Sequence, residues 1–282
     1  MRILVVLNEF YIEEHIKKAL IEDIGFGDIT TESLTGESTH LRAALNTRED
    51  GILAGADVFN KVFKILSNDV KIQFNFKDGY IIKKGDKLAD IVGPARAILS
   101  GERVALNYIQ RMSGIATETN RYRMAIDELP TKIVDTRKTT PNFRAFEKYS
   151  VLMGGGSLHR FNLSDCAMIK DNHIKLAGSI TNAVNQIKRE ISHAHKIEVE
   201  CDTIDQVKEA LECNVEIIML DNMSPELMKE AVKLIDHRAI VEASGNVSLN
   251  TVRNIALTGV DIISSSAIVA KAPTLDIALD IE

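Results

Sequence analysis

The sequence predicts an α/β protein made of an N-terminal α+β module and a longer region of parallel βαβ units. Three observations support this fold class. Residues 1–95 combine helical segments with short strands and tight turns, as in a small antiparallel sheet. From Thr131 onward, short apolar runs alternate with amphipathic segments of helical period. Each of these runs is followed by polar or charged residues, which would place such residues at the carboxyl ends of strands.

The module begins with a predicted helix. Apolar residues repeat every four positions within Asn8–Ile24, and Gly25 ends the pattern. A turn-rich loop is expected over Gly25–Thr31. Residues 40–54 then predict a pair of strands that is broken at Glu49–Gly51.

The rest of the module is predicted to contain a helix, a hairpin and a further strand. Ala56–Leu66 has one apolar face. Ile72–Phe76 alternates apolar and polar residues and ends at Asp78-Gly79, which predicts a hairpin with Tyr80–Ile82. A second turn leads to Leu88–Val92.

A long helix, interrupted at Ser113-Gly114, is predicted over Arg96–Ile126 and leads into the βαβ region. The strands expected there are Lys132–Val134, Ala167–Ile169, Ile197–Val199, Ile217–Leu220, Ile240–Val241 and Asp261–Ile263. The helices between them are expected at Asn142–Met153, Ser179–Ile191, Asp205–Glu212, Pro225–Ile235 and Ser248–Leu257. Both a barrel and a doubly wound sheet would bring the carboxyl ends of these strands together. No glycine-rich dinucleotide fingerprint follows the first strand, which favours the barrel.

Composition limits the class of protein. Hydrophobic residues make up 45% of the 282 and charged residues 26%, as in soluble globular proteins. No apolar stretch approaches the roughly 20 residues of a membrane span, and Met1–Leu7 lacks the cleavage site of a signal peptide. Three cysteines without a CxxC pair argue against a disulfide framework or a zinc site. We therefore expect a cytoplasmic protein that does not bind membranes.

Positive charge is concentrated in one stretch of this acidic chain. From Arg137 to His173 there are six Lys or Arg against three Asp or Glu, while the formal net charge of the chain is -6. Such a concentration indicates a small, highly charged anion as the ligand rather than a nucleic acid. A solvated surface with chance clustering explains the charge alone equally well.

The residues expected at the strand ends define the chemistry that this face can perform. The cations expected there are Arg137, Lys138, Arg160 and Lys170, together with His159. Arginine grips a carboxylate or phosphate with two hydrogen bonds, and lysine adds a point charge. Glu200 and Asp221 end neighbouring strands, where they can hold Mg²⁺ or stabilise positive charge on a sugar. The amides of Ser244–Asn246 and Ser264–Ser266 can bind phosphate.

Simpler roles stay open for several of these residues. Glu200 and Asp221 can pair with nearby cations in a purely structural network. Lys170 alone can be the Schiff-base lysine of an aldolase. His159 can be a hydrogen-bonding scaffold residue, and His173 is expected to be structural.

At these residues the sequence resembles a known family, the quinolinate phosphoribosyltransferases. The resemblance is carried first by Asp135–Pro141, by the glycine run that leads to His159-Arg160, and by Lys170–His173. Further matching stretches follow the family's order over nearly the whole chain: Glu22–Thr30, Gly51–Gly55, Ser100–Asn107, Glu198–Glu200, Leu220–Asn222, Glu242–Gly245 and Ala272–Asp276.

The resemblance implies a fold, a reaction and an assembly. The fold is an N-terminal α+β sandwich over residues 1–110, an open TIM-like α/β barrel over 111–270, and a C-terminal segment, 271–282, that packs back on the first domain. The reaction joins quinolinate to phosphoribosyl pyrophosphate with Mg²⁺, giving nicotinate mononucleotide, pyrophosphate and CO₂ in de novo NAD biosynthesis. The assembly is a homodimer, or a larger oligomer, in which one subunit's N-terminal domain covers the other's barrel mouth.

The resemblance also implies roles for single residues. The quinolinate carboxylates would be held by Arg103 of the partner subunit, Arg137, His159 and Arg160. The expected catalytic residues are Lys138, Lys170, Glu200 and Asp221. The two lysines would contact quinolinate or phosphates, and the two carboxylates would bind ribose hydroxyls and Mg²⁺. The phosphates would be bound by Ser244, Gly245, Ser264 and Ser266.

One departure from the family affects the expected phosphate site. Many members have Ser-x-Gly and then a histidine near the second phosphate loop, where this chain has Ser264-Ser265-Ser266 and Ala270-Lys271. Without the glycine, close approach of the backbone to a ligand is harder. Lys271 can supply the charge of the missing histidine.

Three other functions fit parts of the sequence. The nearest is a paralogue with the same fold and another base as substrate, as in the ModD-like proteins of molybdenum-transport operons. Gly79–Val92 is similar to the hairpin of biotinyl and lipoyl carriers but lacks the motif that flanks their modified lysine. A lysine-dependent aldolase would require Lys170 to form a Schiff base.

Overall fold

The structure, a computed structural model, describes residues 7–282, so that the apolar N-terminal stretch up to Val6 lies outside the described residues. Within that range the chain forms two compact units. The first contains residues up to Asn120, Thr140–Gly155 and Ala272–Glu282, and the second contains Arg121–Thr139 and Gly156–Lys271. None of the helices in the described range combines the length and the hydrophobicity that crossing a bilayer requires.

The predicted fold class is confirmed: an antiparallel sheet lies in the first unit and a parallel sheet in the second. The elements of the N-terminal part are α1 (Glu9–Ile24), α2 (Ile29–Leu34), β1 (His40–Thr47), β2 (Gly51–Ile52), α3 (Ala56–Leu66), β3 (Lys71–Phe74), β4 (Ile81–Ile82), β5 (Lys87–Pro94) and α4 (Ala95–Met124). They are followed by β6 (Lys132–Val134), α5 (Arg144–Met153), β7 (Ala167–Ile169), α6 (Asp171–Ala177), α7 (Ile180–Glu190), β8 (Ile197–Cys201) and α8 (Ile204–Glu212). The last elements are β9 (Ile217–Asp221), α9 (Pro225–Ile235), β10 (Ile240–Ser244), α10 (Val252–Ala256), β11 (Ile262–Ser264), α11 (Ala267–Ala270) and β12 (Ile277–Ile281).

The first unit is built on a four-stranded antiparallel sheet in the order β12-β1-β5-β3. β1 pairs with β5 on one side and with β12, the last strand of the chain, on the other. The apolar face of α3 contributes Phe59 and Phe63, both fully buried, to the core of this unit. The C-terminal strand therefore completes the sheet of the first unit.

Two predicted strand pairings are wrong. The strands on either side of Glu49–Gly51 do not pair with each other, because β2 pairs with β4. Nor does β3 form a hairpin with Tyr80–Ile82; it pairs with β5. The carboxylate of Asp78 accepts the backbone N–H groups of Gly55 and Ala56 at 2.9 and 3.1 Å. The turn at Asp78 thus caps the start of α3 instead of closing a hairpin.

Two predicted interruptions turn out to be helical. The expected loop over Gly25–Thr31 contains the start of α2, whose N-cap is Asp28. The expected break at Ser113-Gly114 is absent, since α4 is continuous. Gly114 is needed for another reason: a Cβ there would lie 1.9 Å from the carbonyl oxygen of Pro273. The C-terminal segment of the first unit packs directly on the helix backbone at this point.

Replacing Gly114 by alanine is therefore expected to lower the free energy of unfolding by about 3 kcal/mol, the cost of severe overpacking. Helix propensity alone would predict the opposite sign, because alanine is favoured over glycine in a helix by about 1 kcal/mol. Denaturant titration measures the difference. Gly36→Ala is the control, since its Cβ would meet only Thr39 Oγ1 at 3.5 Å. A Gly114→Ala protein as stable as the unsubstituted one would contradict the packing argument.

The second unit is built on six parallel strands in the order β6-β11-β10-β9-β8-β7. The strands are rich in fully buried apolar residues, such as Val199, Ile218 and Ile263, as expected for a parallel sheet covered on both faces. β6 and β7 are the two edge strands, and within residues 7–282 they do not pair with each other. The chain after α5 forms an isolated bridge with the β6 edge, between Val134 and Ser157.

The division into units differs from the predicted boundary at residues 110 and 111. Residues 140–155, which contain α5, belong to the first unit although the strand before them belongs to the second. The rings of Phe143 and Phe146 lie 5.7 and 5.3 Å from that of Tyr108 on α4. This aromatic packing ties α5 to α4, so that a single cut in the sequence does not separate the units.

Candidate active site

Polar side chains converge on a cavity of about 600 Å³ at the carboxyl ends of the parallel strands. Ten of the twelve predicted site residues line it: Arg137, Lys138, His159, Arg160, Lys170, Glu200, Asp221, Ser244, Gly245 and Ser264. Ser266 is not part of the lining and is the N-cap residue of α11. Arg103 is exposed on α4 in the first unit.

The strand register explains why these residues meet. Glu200 lies beside Met219 of the neighbouring strand β9, and Asp221 lies beside Ser244 of β10. Lys170 directly follows β7. Because the strands are parallel and in register, their polar ends lie side by side along one rim of the sheet.

Lys170 and Glu200 form an ion pair on the wall of the cavity. The Nζ atom of Lys170 donates to Oε2 of Glu200 at 2.9 Å, and the lysine side chain is 44% exposed. The backbone N–H of Lys170 donates to Nδ1 of His173 at 3.0 Å, so that His173 helps to start α6. The pair is open to the cavity and remains available to a ligand.

Asp221 is held in place by a chain of amide hydrogen bonds. Nδ2 of Asn222 donates to Oδ2 of Asp221 at 2.7 Å, and Nδ2 of Asn246 donates to Oδ1 of Asn222 at 3.1 Å. Partial burial, followed by the nearby Glu200 carboxylate, raises the pKa of Asp221. The two carboxylates are therefore close enough to repel each other.

The loop after β10 lines the cavity and has a left-handed backbone conformation. Gly245 has φ +89°, and a Cβ there would lie 2.2 Å from Oδ1 of Asn222. Asn246 also has a positive φ, of 53°. The helix expected from Ser248 begins only at Val252 and is five residues long. A phosphate at this loop would therefore meet loop amides, not the start of a long helix as the sequence suggested.

Positive charge predominates in the lining of the cavity. Four cations, Arg137, Lys138, Arg160 and Lys170, face the same space as the two carboxylates. The Arg160 guanidinium donates to the carbonyl oxygen of Cys166 at 2.9 Å. The excess of two positive charges suits a polyanionic ligand.

His159 lies at the floor of the cavity, beside two glutamates that the sequence reasoning missed. Nε2 of His159 is 3.4 Å from Oε2 of Glu198 and 3.3 Å from Oε1 of Glu242. Burial lowers the pKa of His159, but the two carboxylates outweigh it and raise that pKa to about 10. Burial also raises the pKa of Glu198. The signal for both glutamates was available: each is a charged residue inside an otherwise apolar strand.

Comparison with known families shows the family to which this chain belongs. Residues 28–113 match the family model described as the N-terminal domain of quinolinate phosphoribosyl transferase, and residues 115–280 match the model of its C-terminal domain. The chain belongs to the quinolinate phosphoribosyltransferase family. This membership accounts for nearly the whole chain, which the carrier-domain and aldolase alternatives do not.

Relatives in this family are similar along their full length. The chain is 40% identical to a Bacillus subtilis protein named probable nicotinate-nucleotide pyrophosphorylase (carboxylating), covering 98% of this chain and 95% of the relative. A Synechocystis protein of the same name is 42% identical, with coverage of 96% and 92%. The solved structure of NadC from Streptococcus pyogenes has a TM-score of 0.95 and 40% identity, with 98% of each chain covered.

Proposed function

We propose that the chain transfers the phosphoribosyl group of phosphoribosyl pyrophosphate to quinolinate, with decarboxylation, giving nicotinate mononucleotide, pyrophosphate and CO₂. The observation that carries this proposal is one cavity of about 600 Å³ lined by four cations and two carboxylates. Both substrates are polyanions, so their binding requires excess positive charge. Departure of pyrophosphate creates positive charge at the ribose, and this requires carboxylates nearby.

The ribose is assigned to the Lys170, Glu200 and Asp221 side of the cavity. As the bond from the ribose C1 to pyrophosphate breaks, positive charge develops on the ring and the Glu200 and Asp221 carboxylates stabilise it. The Lys170 ammonium, 2.9 Å from Glu200, keeps that carboxylate oriented and can bind a phosphate oxygen of the substrate.

Quinolinate is assigned to Arg137, Lys138 and Arg160, which are called the cationic wall from here on. These three cations would pair with its two carboxylates and bring the ring nitrogen to the ribose. Once the nitrogen is alkylated, the bond between C2 and its carboxylate breaks, CO₂ leaves, and the electron pair stays beside the positive nitrogen until C2 takes a proton. The cationic wall would hold the departing carboxylate in place for this step.

The residues that would hold Mg²⁺ are Glu200 and Asp221. Their hard oxygen donors suit this ion, which is commonly bound by one or two carboxylates and by substrate phosphates. The raised pKa of Asp221, caused by burial and by Glu200, fits two carboxylates that face a common position. When bound, the ion would offset part of the negative charge of the pyrophosphate group.

The phosphate of the ribose is assigned to the loop after β10. Ser244 and Gly245 line the cavity, and the positive φ of Gly245 lets the backbone approach a ligand closely. Ser264, at the end of β11, lies in the same lining. Ser266 and Lys271 would then act only near the edge of this site.

A homodimer in the cytoplasm is part of the proposal. Arg103 of the partner subunit would complete the quinolinate site, and its exposed position on α4 leaves it available for that role. α1 and α2 also expose large apolar side chains, including Phe10 at 87% and Ile29 at 82%, which is typical of surfaces that are covered in an assembly. The three free cysteines fit a reducing compartment.

The test is an assay with quinolinate carrying a labelled 2-carboxylate, phosphoribosyl pyrophosphate and Mg²⁺. We expect labelled CO₂ and nicotinate mononucleotide to appear in equal amounts, and only when both substrates are present. Nicotinate in place of quinolinate is the matched control, because it lacks the 2-carboxylate that the cationic wall would hold and that leaves as CO₂.

Two outcomes would contradict the proposal. Turnover of nicotinate as fast as quinolinate would show that the cationic wall does not select a dicarboxylate. No turnover of quinolinate by folded protein would favour the ModD-like alternative, and other acidic bases would then be tested with the same phosphoribosyl donor.

A further inference from the structure

Asn222 joins two parts of the cavity that have separate roles in the proposed reaction. On one side its Nδ2 donates at 2.7 Å to Oδ2 of Asp221, the carboxylate assigned to the ribose. On the other side its Oδ1 accepts from Nδ2 of Asn246 at 3.1 Å. Asn246 belongs to the loop Ser244–Asn246, which is called the phosphate loop from here on. One side chain is therefore hydrogen-bonded both to the carboxylate and to the phosphate loop.

Further contacts fix Asn222 against the phosphate loop. Its backbone N–H donates to the carbonyl oxygen of Ser244 at 3.0 Å. Gly245 packs so closely on it that a Cβ there would lie 2.2 Å from Oδ1 of Asn222. The carbonyl oxygen of Asn246 accepts the hydroxyl of Thr251, the N-cap residue of α10, at 3.1 Å. The loop is thus attached to Asn222 at one end and to α10 at the other.

The charge of Asp221 determines the direction of this chain of hydrogen bonds. An ionised carboxylate only accepts, so the amide nitrogen of Asn222 has to face it. The amide oxygen is then turned to the phosphate loop, where it meets the amide nitrogen of Asn246. An aspartate at this position would lack the donor, and a glutamine would be one methylene longer. An asparagine therefore fits both ends at the observed distances.

We propose that Asn222 is a positioning residue for phosphoribosyl transfer: it holds Asp221 in place relative to the phosphate loop, and Asn246 acts on Asp221 through it. The phosphate at the loop and the ribose ring beside Asp221 belong to one substrate. The spacing between loop and carboxylate therefore determines whether the carboxylate lies at the developing charge. The inference rests on the proposed function for its kinetic consequences, whereas the hydrogen bonds themselves are tested without substrate.

The main alternative is that both asparagines bind the substrate directly, since both line the cavity. Each would then contribute independently, and the effects of the two substitutions would multiply. In the proposed chain, Asn246 has no route to Asp221 once the amide of Asn222 is removed. The two arrangements therefore differ in the doubly substituted protein.

The first test is a double-substitution cycle with glycine at positions 222 and 246, where φ is +53° and glycine adopts the backbone without strain. Asn222→Gly is expected to lower kcat/KM for phosphoribosyl pyrophosphate about 10-fold, the value of a hydrogen bond to a charged group. Asn246→Gly removes a bond between neutral groups and is expected to cost about 5-fold. The double variant should match Asn222→Gly alone. A loss near the product of the two effects, about 50-fold, would overturn the proposal.

The same variants separate positioning from general damage. We expect the KM for quinolinate to stay within about two-fold of the unsubstituted value, because the cationic wall is not part of the chain. The control is Asn214→Gly, at another left-handed asparagine with φ +50° that does not line the cavity. A parallel rise in the KM for quinolinate, or an equal loss of kcat/KM in Asn214→Gly, would also overturn the proposal.

The second test is NMR of the side-chain amides in the substrate-free protein, with Asn246→Gly used to assign the signal of Asn246. In Asn222→Gly the Nδ2 group of Asn246 loses its acceptor, so we expect its amide proton signal to move to the range of solvent-exposed asparagines. The signal should stay in place in Asn214→Gly. An unchanged Asn246 signal in Asn222→Gly would overturn the proposal. Absence of quinolinate turnover alongside the expected shift would overturn the proposed function and leave the link between loop and carboxylate standing.

Discussion

Substitution of Glu200 by glutamine is expected to lower kcat/KM by about 10²–10³-fold, a typical cost for removing one preorganised group that stabilises transition-state charge. The substitution preserves side-chain volume and removes the negative charge that faces Lys170 at 2.9 Å. Asp221→Asn is expected to cost a similar factor, because the same ribose charge loses its second carboxylate. Initial rates at varied phosphoribosyl pyrophosphate, with quinolinate saturating, measure both effects.

Glu200→Gln is also expected to shift the pH profile of kcat/KM to lower pH on its acid side. Burial and the Glu200 carboxylate raise the pKa of Asp221. If ionised Asp221 is required, activity is lost as the pH falls through this raised pKa. Glu200→Gln removes part of the repulsion and lowers that pKa, so the acid limb of log(kcat/KM) should move to lower pH. A shift to higher pH would contradict the assignment of the limb to Asp221.

A matched control distinguishes contact from distant charge. Asp202→Asn removes a carboxylate that also acts on Asp221 by its charge but is not part of the cavity lining. We expect its kcat/KM to stay within about two-fold of the unsubstituted value, the scatter of independent sites. If Asp202→Asn and Glu200→Gln were equally impaired, the loss would reflect the general electrostatic field and not a carboxylate at the ribose.

Most of the second unit could be predicted from sequence because its signals are local. In a parallel sheet each buried strand is a short apolar run, and the residue after the run is at the rim whatever the final shape of the sheet. That rule placed Lys170, Glu200 and Asp221 together without knowledge of the register. The register determines only which of these side chains are in contact, and it brings Lys170 next to Glu200.

The first unit was harder because its pairings are set by contacts between distant residues. Asp78-Gly79 carries a strong hairpin signal, yet the Asp78 carboxylate binds the start of α3, more than 20 positions earlier in the chain. In the same way, Gly114 predicts a helix interruption, but the helix is continuous and the glycine leaves room for the carbonyl group of Pro273. In both cases a contact with a backbone group far away in the sequence outweighs the local structural preference of the residue.

The floor of the site was missed for a different reason. Glu198 and Glu200 are two positions apart on one strand, so both side chains point to the same face of the sheet. Only the residue at the rim was considered as a ligand, while Glu198 and Glu242, inside their strands, were passed over. A charged residue within a buried apolar strand is costly unless it has a partner. Such a residue is itself evidence that another group, here His159, lies opposite.

Substitution of Gly245 by alanine is expected to weaken the binding of the ribose phosphate by about 10–100-fold. The φ of +89° costs an L-residue roughly 1–2 kcal/mol, and the new Cβ would lie 2.2 Å from Oδ1 of Asn222. The loop must therefore move away from Asn222, which also supports Asp221. Calorimetry with ribose 5-phosphate measures the loss directly, and the KM for phosphoribosyl pyrophosphate should rise in parallel.

Substitution of a second glycine separates the effect of backbone strain from the loss of phosphate binding. Gly259 has nearly the same φ, +91°, but its Cβ would meet only Val232 at 3.4 Å, and it lies away from the phosphate loop. Gly259→Ala should therefore lower the free energy of unfolding by a similar amount, because the backbone strain is similar. It should leave the affinity for ribose 5-phosphate unchanged. If Gly245→Ala binds ribose 5-phosphate as tightly as the unsubstituted protein, the phosphate is not held at this loop. The binding residues would then have to be sought at Ser264, on the neighbouring strand.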